Sequence, residues 1–165
     1  MNCLIRKVHQ CDELDLAYIQ TESWKVAFKD ILSAEILQES TNLNRATVMY
    51  KRLLNENIGN GYILEVDSHP HCIAWWDKAR DDDMPDYAEL ICIHSLQDKW
   101  RKGFGTQMMN RVLGDMRTAG YDKVMLWVFT KNIRARKFYE SCGFSTYGKV
   151  RPCLGAEEIC YEKKL

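Results

Sequence analysis

The sequence lacks an excess of charge of either sign. Its 23 Lys and Arg residues are balanced by 23 Asp and Glu residues among 165 positions, so the formal net charge at pH 7 is zero. A chain without net charge has no overall field that attracts nucleic acid or an anionic membrane surface. We therefore expect neither nucleic acid nor a membrane among its partners.

Long apolar runs are also missing. No segment approaches the roughly 20 consecutive apolar residues that a membrane-spanning helix needs. The first residues, MNCLIRKVHQCDELD, do not contain the apolar stretch of a leader peptide either. The sequence therefore predicts a soluble protein that remains in the cytoplasm.

Paired cysteines are absent as well. The seven cysteines are odd in number and none belongs to a Cys-x-x-Cys pair, so neither a disulfide framework nor a zinc site is indicated. We expect reduced thiols, in agreement with a cytoplasmic location, and no bound metal.

What is present is the composition of an ordinary globular protein. Hydrophobic residues make up 46% of the chain and charged residues 28%, and the length fits one domain of about 100–200 residues. We therefore predict a single domain over residues 1–165.

The order of the periodic segments predicts an α/β fold with a mixed sheet. Helical spacing dominates the first third, and residues 62–66 and 72–77 read as a hairpin with Pro70, His69 and His71 in an exposed turn. The strand, helix, strand order over residues 88–129 implies a right-handed crossover between two parallel strands, whereas the hairpins on either side are antiparallel.

A glycine-rich loop, KWRKGFGTQ, separates the first of these parallel strands from the helix. Such a loop places unpaired main-chain N–H groups and the positive end of the helix dipole together, which favours phosphate binding. Gly103 and Gly105 would allow close approach, and Arg101 and Lys102 would add charge. The Walker A pattern does not fit, and the dinucleotide pattern fails at Met108, so a tight turn that only caps the helix remains the alternative.

Two segments together resemble the GNAT superfamily of N-acetyltransferases. AELICIHSLQDKWRKGFGTQMM is similar to the family's strand, R/Q-x-x-G-x-G/A loop and helix. TKNIRARKFYESCGF is similar to N-x-x-A-x-x-F-Y-x-x-x-G-F, with matches at Asn132, Ala135, Phe138, Tyr139, Gly143 and Phe144. The resemblance implies a GNAT fold, in which a mixed central sheet of about six or seven strands is flanked by helices and two parallel strands splay apart.

The resemblance implies acetyl-coenzyme A as the acetyl donor. Its diphosphate would lie on the main-chain N–H groups of the loop, and its pantetheine arm would pair with the strand that ends at Ser95, as an added strand does. The residues so implied in binding the donor are Ile93, Ser95, Arg101, Lys102, Gly103, Phe104, Gly105, Thr106, Asn132, Ala135 and Tyr139.

Trp100 departs from the family pattern, which usually has Arg or Gln at that position. Because the donors that matter are main-chain groups, we expect the loop to bind the diphosphate nonetheless, with Arg101 and Lys102 supplying the charge. For Trp100 we expect a partly exposed ring packed against the loop.

Acetyl transfer to an amine needs a neutral amine, a donor to the carbonyl oxygen and a proton for the departing thiolate. Tyr139 matches the family's tyrosine acid, and a tyrosine with a pKa near ~10 is protonated at neutral pH. The N–H of Ser95 is the candidate for the carbonyl oxygen. Glu89 is the candidate base, since many relatives have a glutamate there and alternation places Glu89, Ile91, Ile93 and Ser95 on one face. An exposed carboxylate at the strand end is the alternative.

The acceptor site is expected around the early helical segment. ESWKVAFKDILSAEIL resembles the helix-loop-helix that borders the acceptor site in many bacterial members, so Trp24, Phe28 and Asp30 are candidate contacts, together with Trp75. His94 would lie on the face opposite Glu89 unless a bulge resets the register, and we expect a structural role for it.

The sequence therefore predicts an N-acetyltransferase that transfers acetyl directly, in a ternary complex, to the primary amine of a small molecule. A peptide or protein acceptor, through an N-terminus or a lysine, is one alternative, and a coenzyme A-binding module with little catalysis is another. The resemblance also allows a homodimer, since members of this superfamily are often dimers.

Overall fold

The protein forms one mixed seven-stranded sheet with helices on both faces. The structure is a computed structural model that describes residues 1–165. The strands are β1 (Cys3–Lys7), β2 (Asn60–Val66), β3 (His69–Lys78), β4 (Ala88–Ser95), β5 (Lys123–Phe129), β6 (Ser145–Cys153) and β7 (Ala156–Lys164). The helices are α1 (Glu13–Ala27), α2 (Ala34–Ser40), α3 (Leu43–Asn55), α4 (Phe104–Thr118) and α5 (Ile133–Ser141), with a short 3₁₀ turn at Gln97–Lys99.

The sheet opens at its centre. The strand order is β1-β2-β3-β4-β5-β7-β6, and only β4 and β5 run parallel. They pair at just two positions, Ala88 with Val124 and Glu89 with Met125, and then diverge. The predicted mixed sheet with a splayed parallel pair is therefore confirmed, and the divergence leaves a gap beside the end of β4.

Helix α4 packs on one face of the sheet because its apolar residues recur at helical spacing. Met108, Met109, Val112, Leu113 and Met116 are all at most 4% exposed, and burying each such side chain contributes roughly 1.5–3 kcal/mol. They pack against the sheet residues Leu64, Ala74, Leu90, Val124 and Leu126. Tyr139 of α5 joins the same core, which places α4 and α5 on one side.

Helices α1 and α3 cover the opposite face. Leu16 and Ile19 of α1 and Tyr50 of α3 pack against Ile63 and Trp75 of the sheet. No helix in the fold is long and apolar enough to cross a membrane.

A β-bulge in β4 changes which side chains share a face. Trp75 pairs with Cys92 and Trp76 with Leu90, so Ile91 is an extra residue in β4. Ile93 packs into the α4 core, whereas Ile91 packs against the α1–α3 core. The prediction that Glu89, Ile91, Ile93 and Ser95 share one face is therefore wrong, because the bulge reverses the alternation. After the bulge, His94 lies on the α1–α3 face together with Glu89.

The β2–β3 hairpin has a tighter turn than the sequence suggested. Asp67 and Ser68 form the turn with φ values of 49° and 66°, and β3 already begins at His69. Leu64 pairs with Cys72 and Glu65 with Pro70, so His71 is the extra residue of a second bulge. His71 is only 1% exposed. The prediction that it faces solvent is wrong, because the bulge turns it toward α4, while His69 is exposed as expected.

Candidate functional site

A cavity of about 1140 Å³ occupies the gap between the diverging strands β4 and β5. It extends from α1 and α3, through the gap, to the loop before α4. The predicted site residues that line it are Trp24, Phe28, Trp75, Ile93, Ser95, Arg101, Gly103, Phe104, Gly105, Thr106, Asn132, Ala135 and Tyr139. Three predicted site residues, Glu89, Lys102 and Asp30, do not line it.

The loop before α4 presents main-chain donors to the cavity. Arg101 and Gly103 adopt positive φ values of 62° and 82°, and Gly103 caps the helix in the left-handed region, where glycine carries no steric cost. The first helical hydrogen bond of α4 runs from the N–H of Gln107 to the carbonyl of Gly103, at 3.1 Å. The N–H groups that precede it in the helix, those of Phe104, Gly105 and Thr106, form the kind of anion site found at helix N-termini.

Helices α4 and α5 meet beside Gly105. A Cβ built at Gly105 would lie 3.4 Å from the ring of Phe138 on α5, which is ordinary van der Waals contact. On the same helix, Asn132 caps the N-terminus of α5 by accepting a hydrogen bond from the N–H of Ala135, at 3.2 Å. The two matched sequence segments thus meet at the cavity.

Trp100 bridges the end of β4 and the start of α5. Its indole N–H donates to the carbonyl oxygen of Ser95 at 3.0 Å, and the guanidinium carbon of Arg134 lies 3.6 Å from the centre of its ring. The sequence predicts only a ring packed against the loop. Arg134 was missed, because nothing in the sequence indicates which residue of α5 meets the loop.

Tyr139 is buried in the wall of the cavity. It is 9% exposed and packs edge-on against Phe144, with ring centres 5.9 Å apart. Burial raises the pKa of Tyr139 above its ordinary value. Its hydroxyl therefore holds its proton at neutral pH and can donate it.

Glu89 lies beside the cavity and is bound tightly by Arg80. Its carboxylate accepts hydrogen bonds from the main-chain N–H of Arg80 at 3.1 Å and from the guanidinium at 3.0 and 2.6 Å. Glu89 is 2% exposed and does not contact the cavity, whereas Arg80 lines it. The structure thus places Glu89 outside the cavity with both of its oxygens engaged, and its role as the base stays a prediction.

His94 forms a hydrogen bond across the sheet surface with α1. The indole N–H of Trp24 donates to Nε2 of His94 at 3.1 Å. Burial lowers the pKa of His94 to about 4, so the ring is neutral at pH 7 and a weak base. This contact agrees with the expected structural role and fixes Trp24 at the cavity.

Aromatic rings form the wall of the cavity on the α1 side. Trp24 and Phe28 are 5.1 Å apart between ring centres, Phe28 and Phe129 are 4.9 Å apart, and Tyr50 and Trp75 are 5.7 Å apart. Trp127 also lines this part. Tyr50, Trp127 and Phe129 were missed, since apolar residues of a helix face or a buried strand look the same whether they fill a core or line a cavity. Asp30 is exposed and lies outside it.

The thiols near the cavity are not activated. Burial raises the pKa of Cys92 to about 12, and burial also raises the pKa of Cys153. Both therefore remain protonated at neutral pH. No group of three or more His, Cys, Asp or Glu side chains is arranged to hold a metal ion.

Comparison with known proteins gives matches in both sequence and structure. The model of the acetyltransferase (GNAT) family matches residues 19–144. PaiA N-acetyltransferase from Thermoplasma acidophilum, solved in complex with coenzyme A, is 20% identical with a TM-score of 0.86, and the match covers 100% of both chains. The yncA protein of Salmonella typhimurium, solved with acetyl-coenzyme A, is 13% identical with a TM-score of 0.75, covering 99% of this chain and 94% of that one.

The ribosomal-protein-S18-alanine N-acetyltransferase of Escherichia coli also has this fold. It is 17% identical with a TM-score of 0.67, covering 99% of this chain and 94% of that chain. At such identities the likeness concerns the fold alone. No curated protein matches the sequence.

Proposed function

This chain belongs to the GNAT acetyltransferase family, and we propose that it moves an acetyl group from acetyl-coenzyme A directly to the primary amine of a small apolar molecule. Family membership makes it an acyltransferase that uses acetyl-coenzyme A, as do the coenzyme A-bound structures of the same fold. The nature of the acceptor and the roles of individual residues are our proposals.

The aromatic wall supports a small apolar acceptor. Trp24, Phe28, Trp75, Trp127 and Phe129 line the α1 side of the cavity. Ligand pockets with mainly apolar and aromatic walls bury most of a small ligand, whereas an extended peptide needs main-chain partners along an open groove. The two carboxylates that line the cavity are Asp77 and Glu158, and Glu158 is already bound by Arg151 at 2.8 Å. The wall therefore favours apolar bulk over several positive charges.

The donor would be held by the loop and the end of β4. The N–H groups of Phe104, Gly105 and Thr106 would bind the diphosphate, and the pantetheine arm would enter the gap between β4 and β5 along Ile93 and Ser95. Because the strands pair at only two positions before diverging, the main-chain groups at the end of β4 are available to this arm. The N–H of Ser95 would donate to the thioester oxygen as it becomes anionic.

The transfer needs no covalent enzyme intermediate. The amine nitrogen attacks the thioester carbon, the new C–N bond forms and the C–S bond breaks. The departing thiolate takes a proton from the Tyr139 hydroxyl, which is later restored from water, and the ammonium proton leaves to water. The protonated thiols of Cys92 and Cys153 support direct transfer over a thiol intermediate.

The aromatic wall would also prepare the amine. Moving an ammonium group into an apolar site lowers its pKa by up to about 3–5 units. An amine with a pKa near ~10 then reaches the site largely neutral, so no dedicated base is required, and Glu89 is free to anchor Arg80.

Two measurements test this function. Isothermal titration with acetyl-coenzyme A should show binding at micromolar concentrations, and absence of binding would overturn the donor site. Thiol release with arylalkylamines, an aliphatic diamine and peptides with free N-termini, followed by mass spectrometry of the products, should show the highest kcat/KM for the arylalkylamines. A preference for peptides would replace the small-molecule acceptor with a protein, and donor binding without any turnover would indicate a binding module.

A further inference from the structure

The charges that line the cavity are unevenly distributed. Four cationic residues, Lys99, Arg101, Arg134 and Lys137, line the part near the glycine loop and the start of α5. None of these four residues forms an ion pair within the protein. The basic residues that do form ion pairs are Arg6, His9, Lys25, Arg52, His71, Arg80, Arg111, Lys149 and Arg151. This end of the cavity is therefore suited to a multiply charged anion.

The two lining carboxylates do not neutralise this cluster. Asp77 pairs in the sheet with Glu89, at the start of β4, whereas Ser95 ends the strand beside the loop. Those positions are six residue steps apart along the strand, which is roughly 20 Å. Glu158 is held by Arg151 at 2.8 Å.

Arg134 is the member of this cluster with a defined orientation. Its guanidinium carbon lies 3.6 Å from the centre of the Trp100 ring, within the range of a cation–π contact. Its neighbour Arg136 is committed to the fold, because it donates to the hydroxyl of Tyr161 and the carbonyl of Thr130, each at 2.9 Å. The guanidinium of Arg134 makes no hydrogen bond within the protein, so its N–H groups are available to a ligand.

Trp100 is itself fixed in place. Its indole N–H donates to the carbonyl of Ser95 at 3.0 Å, which ties the ring to the end of β4. A guanidinium stacked on such a ring keeps its N–H groups directed outward in its own plane, and this planar fork matches two phosphate oxygens. The Ser95 carbonyl has a second lone pair, so this contact does not exclude pairing with a pantetheine amide.

We propose that Arg134 binds the diphosphate of acetyl-coenzyme A and that Trp100 is the positioning residue that holds it there. This inference rests on the proposed function, since it assumes that the donor occupies the glycine loop. The basic side chain that relatives have at the first loop position is here supplied from α5, and an indole surface at position 100 orients it. This arrangement explains why a tryptophan at position 100 can replace the Arg or Gln of the family pattern.

The electrostatic surroundings agree with this role. Desolvation by the surrounding protein and the nearby charge of Arg101 both lower the pKa of Arg134, although a guanidinium stays charged at neutral pH. Arg101 and Arg134 are both exposed, and their like charges repel each other. An anion placed between them offsets that repulsion. A diphosphate supplies such an anion.

Three acetyl donors that differ in their phosphate groups show which phosphate Arg134 binds. Acetyl-coenzyme A has the diphosphate and the 3′-phosphate, 3′-dephospho-acetyl-coenzyme A keeps only the diphosphate, and S-acetylpantetheine has neither. We expect Arg134→Gln to weaken binding of the first two by roughly 10- to 100-fold, the range for loss of charge-assisted hydrogen bonds. Binding of S-acetylpantetheine should change by less than about twofold.

Two further variants serve as controls. Arg134→Lys keeps the charge but not the fork and should recover only part of the affinity. Arg117→Gln removes the same charge from the opposite end of α4, where the residue is exposed and does not line the cavity. Its affinities for all three donors should equal those of the unaltered protein.

The role of Trp100 is tested by the ratio of the affinities for dephospho-acetyl-coenzyme A and S-acetylpantetheine. These donors share the pantetheine arm, so an effect at the Ser95 carbonyl cancels in the ratio. Trp100→Ala should lower the ratio, and the double variant with Arg134→Gln should lower it no further than Arg134→Gln alone, because coupled residues are not additive. Additive losses would overturn the positioning role.

The outcomes also separate this inference from the proposed function. If the unaltered protein binds acetyl-coenzyme A and Arg134→Gln binds it equally well, the inference fails and the function stands. A loss restricted to acetyl-coenzyme A would assign Arg134 to the 3′-phosphate and overturn the diphosphate site. An equal loss with S-acetylpantetheine would place Arg134 on the pantetheine arm and overturn it as well.

Discussion

At the scale of single residues, the proposed chemistry depends on a proton held by Tyr139. Tyr139 lies in the cavity wall, and its hydroxyl makes no hydrogen bond within the protein. Burial raises the pKa of this hydroxyl. A phenol that keeps its proton and has no internal partner is available to the leaving thiolate.

We expect Tyr139→Phe to lower kcat by roughly 10²- to 10⁴-fold, the usual contribution of a general acid. The dissociation constant for acetyl-coenzyme A and the unfolding free energy should hardly change, because only a hydroxyl without a protein partner is removed. Steady-state thiol release, together with titration calorimetry, measures both. An unaltered kcat would remove Tyr139 from the acid role.

Glu89→Gln is the contrasting variant, because it alters a carboxylate that we assign to the fold. Replacing the charge weakens three hydrogen bonds from Arg80 and should cost on the order of 1–3 kcal/mol of unfolding free energy. The dependence of kcat/KM on pH should keep its shape. Loss of the acidic limb of that profile would reinstate Glu89 as the base.

The contacts of some site residues can be predicted from the sequence, whereas those of others cannot. The main-chain donors of the loop follow from the spacing of Gly103 and Gly105, since the backbone geometry is local. The partners of Glu89 and Trp100 do not, because Arg80 lies in a polar loop and Arg134 on a helix, and only the fold brings them into contact.

At the scale of elements, the aromatic wall of the cavity is shaped by the packing of β2 on β3. Gly61 of β2 pairs with Trp75 of β3, and the ring of Trp75 lies directly over Gly61. Trp75 also lines the cavity. The absence of a side chain at Gly61 therefore determines the position of the Trp75 ring.

We expect Gly61→Ala to displace Trp75, because a Cβ at position 61 would overlap its ring. Overpacking of this kind costs about 1–3 kcal/mol of unfolding free energy, and a misplaced contact should lower kcat/KM for the amine by roughly 10- to 100-fold. Affinity for acetyl-coenzyme A should be unchanged. Urea unfolding, amine kinetics and donor titration measure the three quantities.

Gly114→Ala in α4 is the matched control, since a Cβ there meets nothing within 4 Å. Alanine in a helix interior should stabilise the protein by roughly 0.5–1 kcal/mol and leave the kinetics unaltered. If Gly61→Ala behaved like Gly114→Ala, the position of Trp75 would not depend on the glycine.

Element types were easier to predict than the faces of the strands. Long periodic segments such as α4 and β5 are specified by their own apolar spacing. The bulges at Ile91 and His71 depend on pairing with β3 and β2. One inserted residue reverses every later side chain, so the alternation of β4 alone could not place His94.

At the scale of the whole molecule, the sheet is built around a gap that contains the candidate site. The mixed sheet and its parallel pair were predictable, because a strand, helix, strand order admits few topologies. The size of the cavity and the aromatic composition of its wall were not, since they arise where α1, α3, β4, β5 and β7 meet. Burial at this junction also affects the stability of the whole protein.

Two histidines, the buried His71 and the half-buried His94, should make the protein less stable in mild acid. Burial lowers the pKa of His94 from 6.5 to about 4 and also lowers that of His71. Between these values the unfolded chain binds more protons than the folded one, so the unfolding free energy falls as the pH decreases from 6.5 toward 4 and is constant above that window. For His94 alone the loss of unfolding free energy should be about 2 kcal/mol at pH 5.

Urea unfolding without acetyl-coenzyme A at pH 7.5 and pH 5 measures this loss. His94→Gln should reduce the difference between the two pH values, whereas the same change at the exposed His69 should not. An equal pH dependence in His94→Gln and in the unaltered protein would contradict this account.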